Sequence, residues 1–307
     1  MNMHSTPGLS LVKATWKFDW RAYWELCKPR VIYLMLITAV VGMCLAAPGK
    51  IPLSILIFGT LGIGCAASSA AVINHLIDRK IDAMMFRTER RPLPMGKVSP
   101  RQAMLFAIMM AGMGLVILLT WVNVLTTVLT FATLLGYAVI YTVFLKHATS
   151  QNIVIGGLAG AMPPLLGWTA VTNTVDPYSF MLVLLIFIWT PPHFWALAIH
   201  RYDDYVKAKI PMLPVTHGIS YTKLQILLYT ILLAVASILP YLIGMSGLIY
   251  LIGALLLAAG FLYYSGRLYW ETKPSLTAFK TFLFSIYYLT GLFIVLLLDH
   301  YVRLSIE

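Results

Sequence analysis

Hydrophobic residues in this chain do not alternate with polar ones or mark a single helical face. They run together for about twenty residues at a time, long enough for a helix to cross the hydrocarbon core of a bilayer. Such runs begin near Val31, Pro52, Gln102, Leu125, Asn152, Tyr178, Leu224, Leu248 and Phe279, with short polar stretches between them. The pattern predicts an all-α polytopic membrane protein, a bundle of nine transmembrane helices around a central cavity. Composition agrees: 60% of the residues are hydrophobic and 11% charged, and the mean hydropathy is +0.84. A soluble globule is excluded, since its apolar share lies nearer half.

Charge adds an orientation. With a cytoplasmic N-terminus, every one of the 22 lysines and arginines except Lys50 and Arg303 falls in a cytoplasmic segment, as the positive-inside rule requires. The net charge of +11 is then mostly topological, and nothing else supports nucleic-acid binding. Residues 1–24 lack the apolar core and cleavage site of a signal peptide, and Asp19 and Glu25 speak against a transit peptide. The expected location is therefore a bacterial plasma membrane. Residues 1–27 read as a cytoplasmic N-terminal segment and 28–307 as one transmembrane domain. Cys27, Cys44 and Cys65 are scattered, without metal-ligand spacing, and read as packing residues.

The chemistry gathers in two polar islands. In the first, Asn74, Asp78 and Asp82 recur every fourth residue, followed by Arg87, Arg90, Arg91 and Pro92. On a helix these three form one ladder of oxygen ligands, suited to a hard cation. The second island, after the sixth run, holds Asp203, Asp204, Tyr205, Lys207 and Lys209. Four crossings separate the islands, an even number, so both emerge on one membrane face and converge. Opposed carboxylates interleaved with Arg and Lys are what a metal-bound diphosphate needs: Mg²⁺ takes one or two carboxylates plus phosphate oxygens, and guanidiniums add bidentate donors. The plainer reading is a solvated loop carrying topological charge, although such a loop has no need of carboxylates at helical spacing.

Two further segments suggest a cavity. Gly156-Gly157, Gly160 and Met162-Pro163-Pro164 are expected to interrupt the fifth helix, and Trp189-Thr190-Pro191-Pro192-His193 the sixth, because broken backbone at membrane depth lines a cavity or is buried in protein. Small residues from Gly62 to Ala71 let the second helix pack closely. His193 is the candidate haem-binding or proton-accepting side chain, its alternative a structural histidine bonded to a freed carbonyl. A transporter with substrate at mid-membrane is disfavoured, because the acids sit at helix ends and nothing charged lines the predicted outer halves.

Asn74-x-x-x-Asp78-x-x-x-Asp82 followed by Arg87-x-x-Arg90-Arg91-Pro92 resembles the first motif of the UbiA-type intramembrane prenyltransferases. Adding Gly160-Ala-Met-Pro-Pro164, Trp189-Thr-Pro-Pro-His-Phe-Trp195, and Asp204-Tyr205 with Ile210-Pro-Met-Leu-Pro214, the chain is similar to the branch that makes haem O. That resemblance implies Mg²⁺-dependent transfer of a farnesyl group from farnesyl diphosphate to the 2-vinyl group of haem B. Haem B is then a substrate, not a resident cofactor, and a terminal oxidase or a haem A synthase is the implied partner. It also implies that Asn74, Asp78, Asp82 and Asp204 hold Mg²⁺, with Arg87, Arg90 and Arg91 as phosphate ligands. Tyr205, Lys207, Lys209 and His193 become candidate substrate contacts. One departure stands out: the superfamily's second motif commonly spaces two aspartates four apart, whereas here Ala208 follows Asp204 and Lys207 follows Asp203 at that spacing. An aromatic or quinone-precursor acceptor is the alternative within the superfamily.

Overall fold

The computed structural model describes residues 19–47, 49–86, 88–145, 148–272 and 275–306. Among them, nine helices are long and apolar enough to cross a membrane: Pro29–Ala46, Leu53–Asp82, Pro100–Trp121, Val124–Leu145, Asn152–Thr172, Pro177–His200, Ile219–Leu242, Leu248–Trp270 and Leu276–Arg303. Each begins within a few residues of its expected start. The second, fifth and sixth bury the most surface inside the protein, so they form the interior of the bundle and the others its lipid-facing ring.

Close packing rests on glycine. A Cβ at Gly42 of the first helix would lie 2.1 Å from the Pro164 carbonyl oxygen, and one at Gly167 of the fifth would lie 1.9 Å from that of Ala39. The two backbones therefore touch, as small residues permit in membranes. Gly62 and Gly114 bring the second and third helices together in the same way.

The expected interruptions turn out milder than predicted. Gly156, Gly157 and Gly160 lie within an unbroken helical segment, Asn152–Ala161, and only Met162 separates it from the next, Pro163–Thr172. Pro191 and Pro192 sit inside a continuous helix from Pro177 to His200. Proline removes the amide that would bond four residues back, leaving the Phe187 and Ile188 carbonyls without their helical donors. The irregular backbone lies instead in the fourth crossing, where Gly136–Leu145 winds as a π-helix.

A short helix, Trp20–Leu26, precedes the first crossing. Its Ala22 and Leu26 are buried with Val72 and Leu76 of the second helix and Leu93 and Val98 of the following loop, while Trp20 and Trp24 face outward, as suits a membrane interface. At the far end of the bundle two acids act as helix caps. Asp176 accepts from the Ser179 amide and from the Trp168 indole nitrogen at 2.8 Å. Asp299, fully buried in the ninth helix, accepts from the Gly247 and Tyr250 amides at the start of the eighth. The outer half thus does hold a buried charge, contrary to the sequence expectation, and backbone amides satisfy it.

Candidate active site

The second helix runs to Asp82, carrying Asn74, Asp78 and Asp82 along its buried face. Burial comes from close neighbours on the third, fourth and first helices rather than from the residues themselves, which are polar. Each buried carboxylate in such a setting needs cations or donors. Asp82 receives both: Arg91 donates to its two oxygens from one nitrogen, at 2.8 and 2.7 Å. The turn between them is held by the Thr88 hydroxyl, which donates to the Asp82 carbonyl at 2.9 Å. His75 Nδ1 stands 3.8 Å from the same carboxylate.

At the upper rung, the Lys28 ammonium donates to the Asn74 amide oxygen. Lys28 takes a left-handed backbone (φ +52°) at the cap of the first helix, and Lys209 of the second island shares that conformation. Non-glycine residues adopt it at some cost, and such positions gather at functional sites. Asn74 Nδ2 lies 3.5 Å from the Thr142 hydroxyl oxygen, which itself donates to the Tyr137 carbonyl five residues back at 2.8 Å. The π-helical turn therefore aims its polar side chains at the acid ladder, a use to which π-helical segments are often put.

Tyr137 and Tyr141 stack with centroids 5.4 Å apart. Room for Tyr141 comes from the fifth helix, where a Cβ at Gly156 would lie 2.1 Å from its ring. The neighbouring Gly157 faces Thr190 of the sixth helix in the same manner.

The two islands do meet. Met85 and Ile81 from the first share one apolar cluster with Ala208, Ile210, Met212 and Tyr205 from the second. Asp204 and Tyr205 are half-buried on the short helix Tyr202–Lys207, whereas Lys207 and Lys209 are exposed. Arg90 is not drawn in: its side chain is 83% exposed, 4.0 Å from Glu89. Arg87 lies outside the described residues.

His193 is buried in the sixth helix, two turns from its end. It stacks on Trp189 at 4.2 Å and packs on Phe282 at 4.6 Å, and its Nδ1 lies 2.6 Å from the Ser285 hydroxyl. Sequence reasoning did not single out Lys28, Tyr137, Tyr141, Thr142 or Ser285. Tyrosines four apart inside an apolar run, and a lysine at the mouth of the first one, were the available signals. The arrangement as a whole is a hard-oxygen ladder at the membrane edge, cradled by cations, with an aromatic interior above it, able to hold a metal-bound anion beside an apolar chain.

The chain matches the UbiA prenyltransferase family over residues 35–287. It is 62% identical over 286 residues to protoheme IX farnesyltransferase 2 of Pseudoalteromonas atlantica, covering 93% of each chain. To protoheme IX farnesyltransferase of Legionella pneumophila it is 61% identical over 283 residues, covering 92% of this chain and 96% of the relative. The fold resembles that of a digeranylgeranylglyceryl phosphate synthase, with a TM-score of 0.77 at 20% identity over 92% of this chain and 98% of the other. It also resembles a UbiA homologue of Archaeoglobus fulgidus bound to GPP and Mg²⁺, with a TM-score of 0.62 at 17% identity over 90% and 99%. An all-α membrane bundle, an acid ladder at its edge and a family match across most of its length lead to one conclusion: the chain belongs to the UbiA prenyltransferase family.

Proposed function

We propose that this protein transfers the farnesyl group of farnesyl diphosphate to the 2-vinyl group of haem B, giving haem O, in a bacterial plasma membrane with its N-terminus in the cytoplasm. One observation carries the chemistry: Asn74, Asp78 and Asp82 lie buried on one helix face, with Lys28 and Arg91 already on two of them. The choice of haem as acceptor is supported by relatives at 61 and 62% identity that bear the farnesyltransferase name.

The donor set fits Mg²⁺. Two carboxylates and an amide oxygen are hard ligands, and two of the three now carry a cationic side chain in their place. Among the described residues no three of His, Cys, Asp and Glu form a self-sufficient metal site. A site completed by diphosphate oxygens needs none. Asn74, Asp78 and Asp82 would hold the ion, with Asp204 answering from the second island. When bound, it would neutralise charge developing on the departing pyrophosphate.

The protein's own residues do the rest. With the ladder given over to the ion, Arg91 and Lys28 would be released to donate to the diphosphate, and the allylic C–O bond would break with its electron pair leaving on pyrophosphate. Lys207 and Lys209, on the exposed rim, attract the anion, as does Arg87. The aromatic interior excludes water from the farnesyl cation while the vinyl carbon attacks it. Water then adds to the haem-stabilised cation and loses a proton, leaving the hydroxyethylfarnesyl side chain. His193 and Tyr205 line the acceptor side. A terminal oxidase or haem A synthase would consume the product.

The test is a product assay: purified protein in detergent with farnesyl diphosphate and haem B, with Mg²⁺ or with chelator, and mass spectrometry of the extracted haem. Mg²⁺-dependent hydroxyethylfarnesyl haem is the expected result. Unmodified haem from folded protein would overturn the acceptor and direct the search to aromatic and quinone-precursor acceptors.

A further inference from the structure

We infer that Ser285 is a positioning residue for the acceptor: it fixes His193 in the Nδ1–H tautomer, so that Nε2 is presented as a nitrogen ligand to the haem iron. This rests on the proposed use of haem. A hydroxyl has one proton, and that of Ser285 is committed to the Phe282 carbonyl at 2.6 Å. The 2.6 Å contact between Ser285 Oγ and His193 Nδ1 then requires Nδ1 to donate. In a neutral imidazole the other nitrogen must hold the lone pair. A neighbour that fixes one ring nitrogen and thereby the basicity and direction of the other is how metal-ligating histidines are generally prepared.

The ring is also held in plane. Trp189 stacks on it at an interplanar angle of 21°, with Phe282 at 32°. Trp189 is in turn anchored by its indole N–H, which donates to the Ser285 backbone carbonyl at 2.7 Å. One residue of the ninth helix thus holds two side chains of the sixth, its backbone the tryptophan and its side chain the histidine. His193 keeps 9% of its surface accessible inside a bundle interior where Trp195, two residues on, keeps 1%. A purely structural histidine gains nothing from a defined free nitrogen; an iron ligand requires one.

The experiment separates the side chain from the backbone. S285A removes the hydroxyl and leaves the Trp189 bond, so the fold is retained; S285T restores a hydroxyl. Haem is titrated into full-length protein in detergent, and the iron–histidine band of the ferrous complex is read by resonance Raman spectroscopy. Steady-state KM values for haem and for farnesyl diphosphate are measured in parallel. Wild type is expected to show the band, H193A to lose it, and S285A to shift or lose it with a haem KM raised about tenfold and an unchanged farnesyl diphosphate KM. S285T is expected to recover most of both. If S285A fails to accumulate, S285C, close in size but a poorer acceptor, carries the same expectation. A wild-type band and haem KM in S285A would overturn the inference, as would product formation by wild type with no iron–histidine band. Failure of wild type to modify haem at all would instead remove the acceptor reading.

Discussion

Carboxylates buried inside this bundle occur at both of its ends, and they are held in opposite ways. At the far end, Asp299 is met by the backbone amides of Gly247 and Tyr250 at a helix start, groups that cannot leave. At the ladder end, Asp82 is met by the Arg91 guanidinium, and Asn74 beside it by the Lys28 ammonium, groups on flexible stems. Asp82 and Asp299 are alike in residue type and in burial; the mobility of the partner differs. An acid satisfied by main chain is a cap, and one satisfied by an exchangeable cation can trade it for a metal ion and a diphosphate. The number of charged residues in a membrane segment therefore says less about function than the kind of group that neutralises them.

Substitutions at the two ends should separate these roles. The largest effect is expected at Asp78: D78N should cut turnover by about 10²- to 10³-fold while leaving haem binding intact. Comparable product yield from that variant would take the ladder out of the mechanism. Next comes G156A, whose methyl would stand 2.1 Å from the Tyr141 ring; displacing that ring should cost about 1–3 kcal/mol and lower activity as well. Thermal unfolding in detergent, paired with the product assay, reads both. At the far end D299A removes two acceptors from the eighth helix and should lose about 2 kcal/mol of stability with unchanged activity per folded molecule. A catalytic defect there would erase the distinction between the ends. The smallest effect belongs to R90A: its side chain is 83% exposed, so stability should move by less than about 0.5 kcal/mol. A strong loss of activity from R90A would mean that Arg90 swings inward when diphosphate binds.

How much of this was legible before the structure depends on the range of the interactions. The nine crossings follow from runs of apolar residues, a local property, and their starts were placed within a few positions. The ladder was equally legible, since Asn74, Asp78 and Asp82 belong to one helix and their spacing encodes their common face. Lys28 was not, because its bond to Asn74 spans 46 residues and no periodicity records it. The π-helical turn was hidden for another reason: Gly136–Leu145 is as apolar as its neighbours, and one extra residue per turn leaves no compositional trace. The proline pair misled in the other direction. Pro191 and Pro192 weaken a helix in isolation, but here the segment stays helical from Pro177 to His200, with neighbouring contacts such as the Trp189 bond to Ser285 supporting it.

The bond between Asp299 and the start of the eighth helix also bears on how the chain is built. Gly247 and Tyr250 are synthesised before residue 299, so the first turn of the eighth helix is made before the carboxylate that caps it. Only the arrival of the ninth completes it. The last two crossings are thus tied to each other in the finished fold, and a chain stopped short of Asp299 would leave the Gly247 and Tyr250 amides to be met by water at the membrane edge.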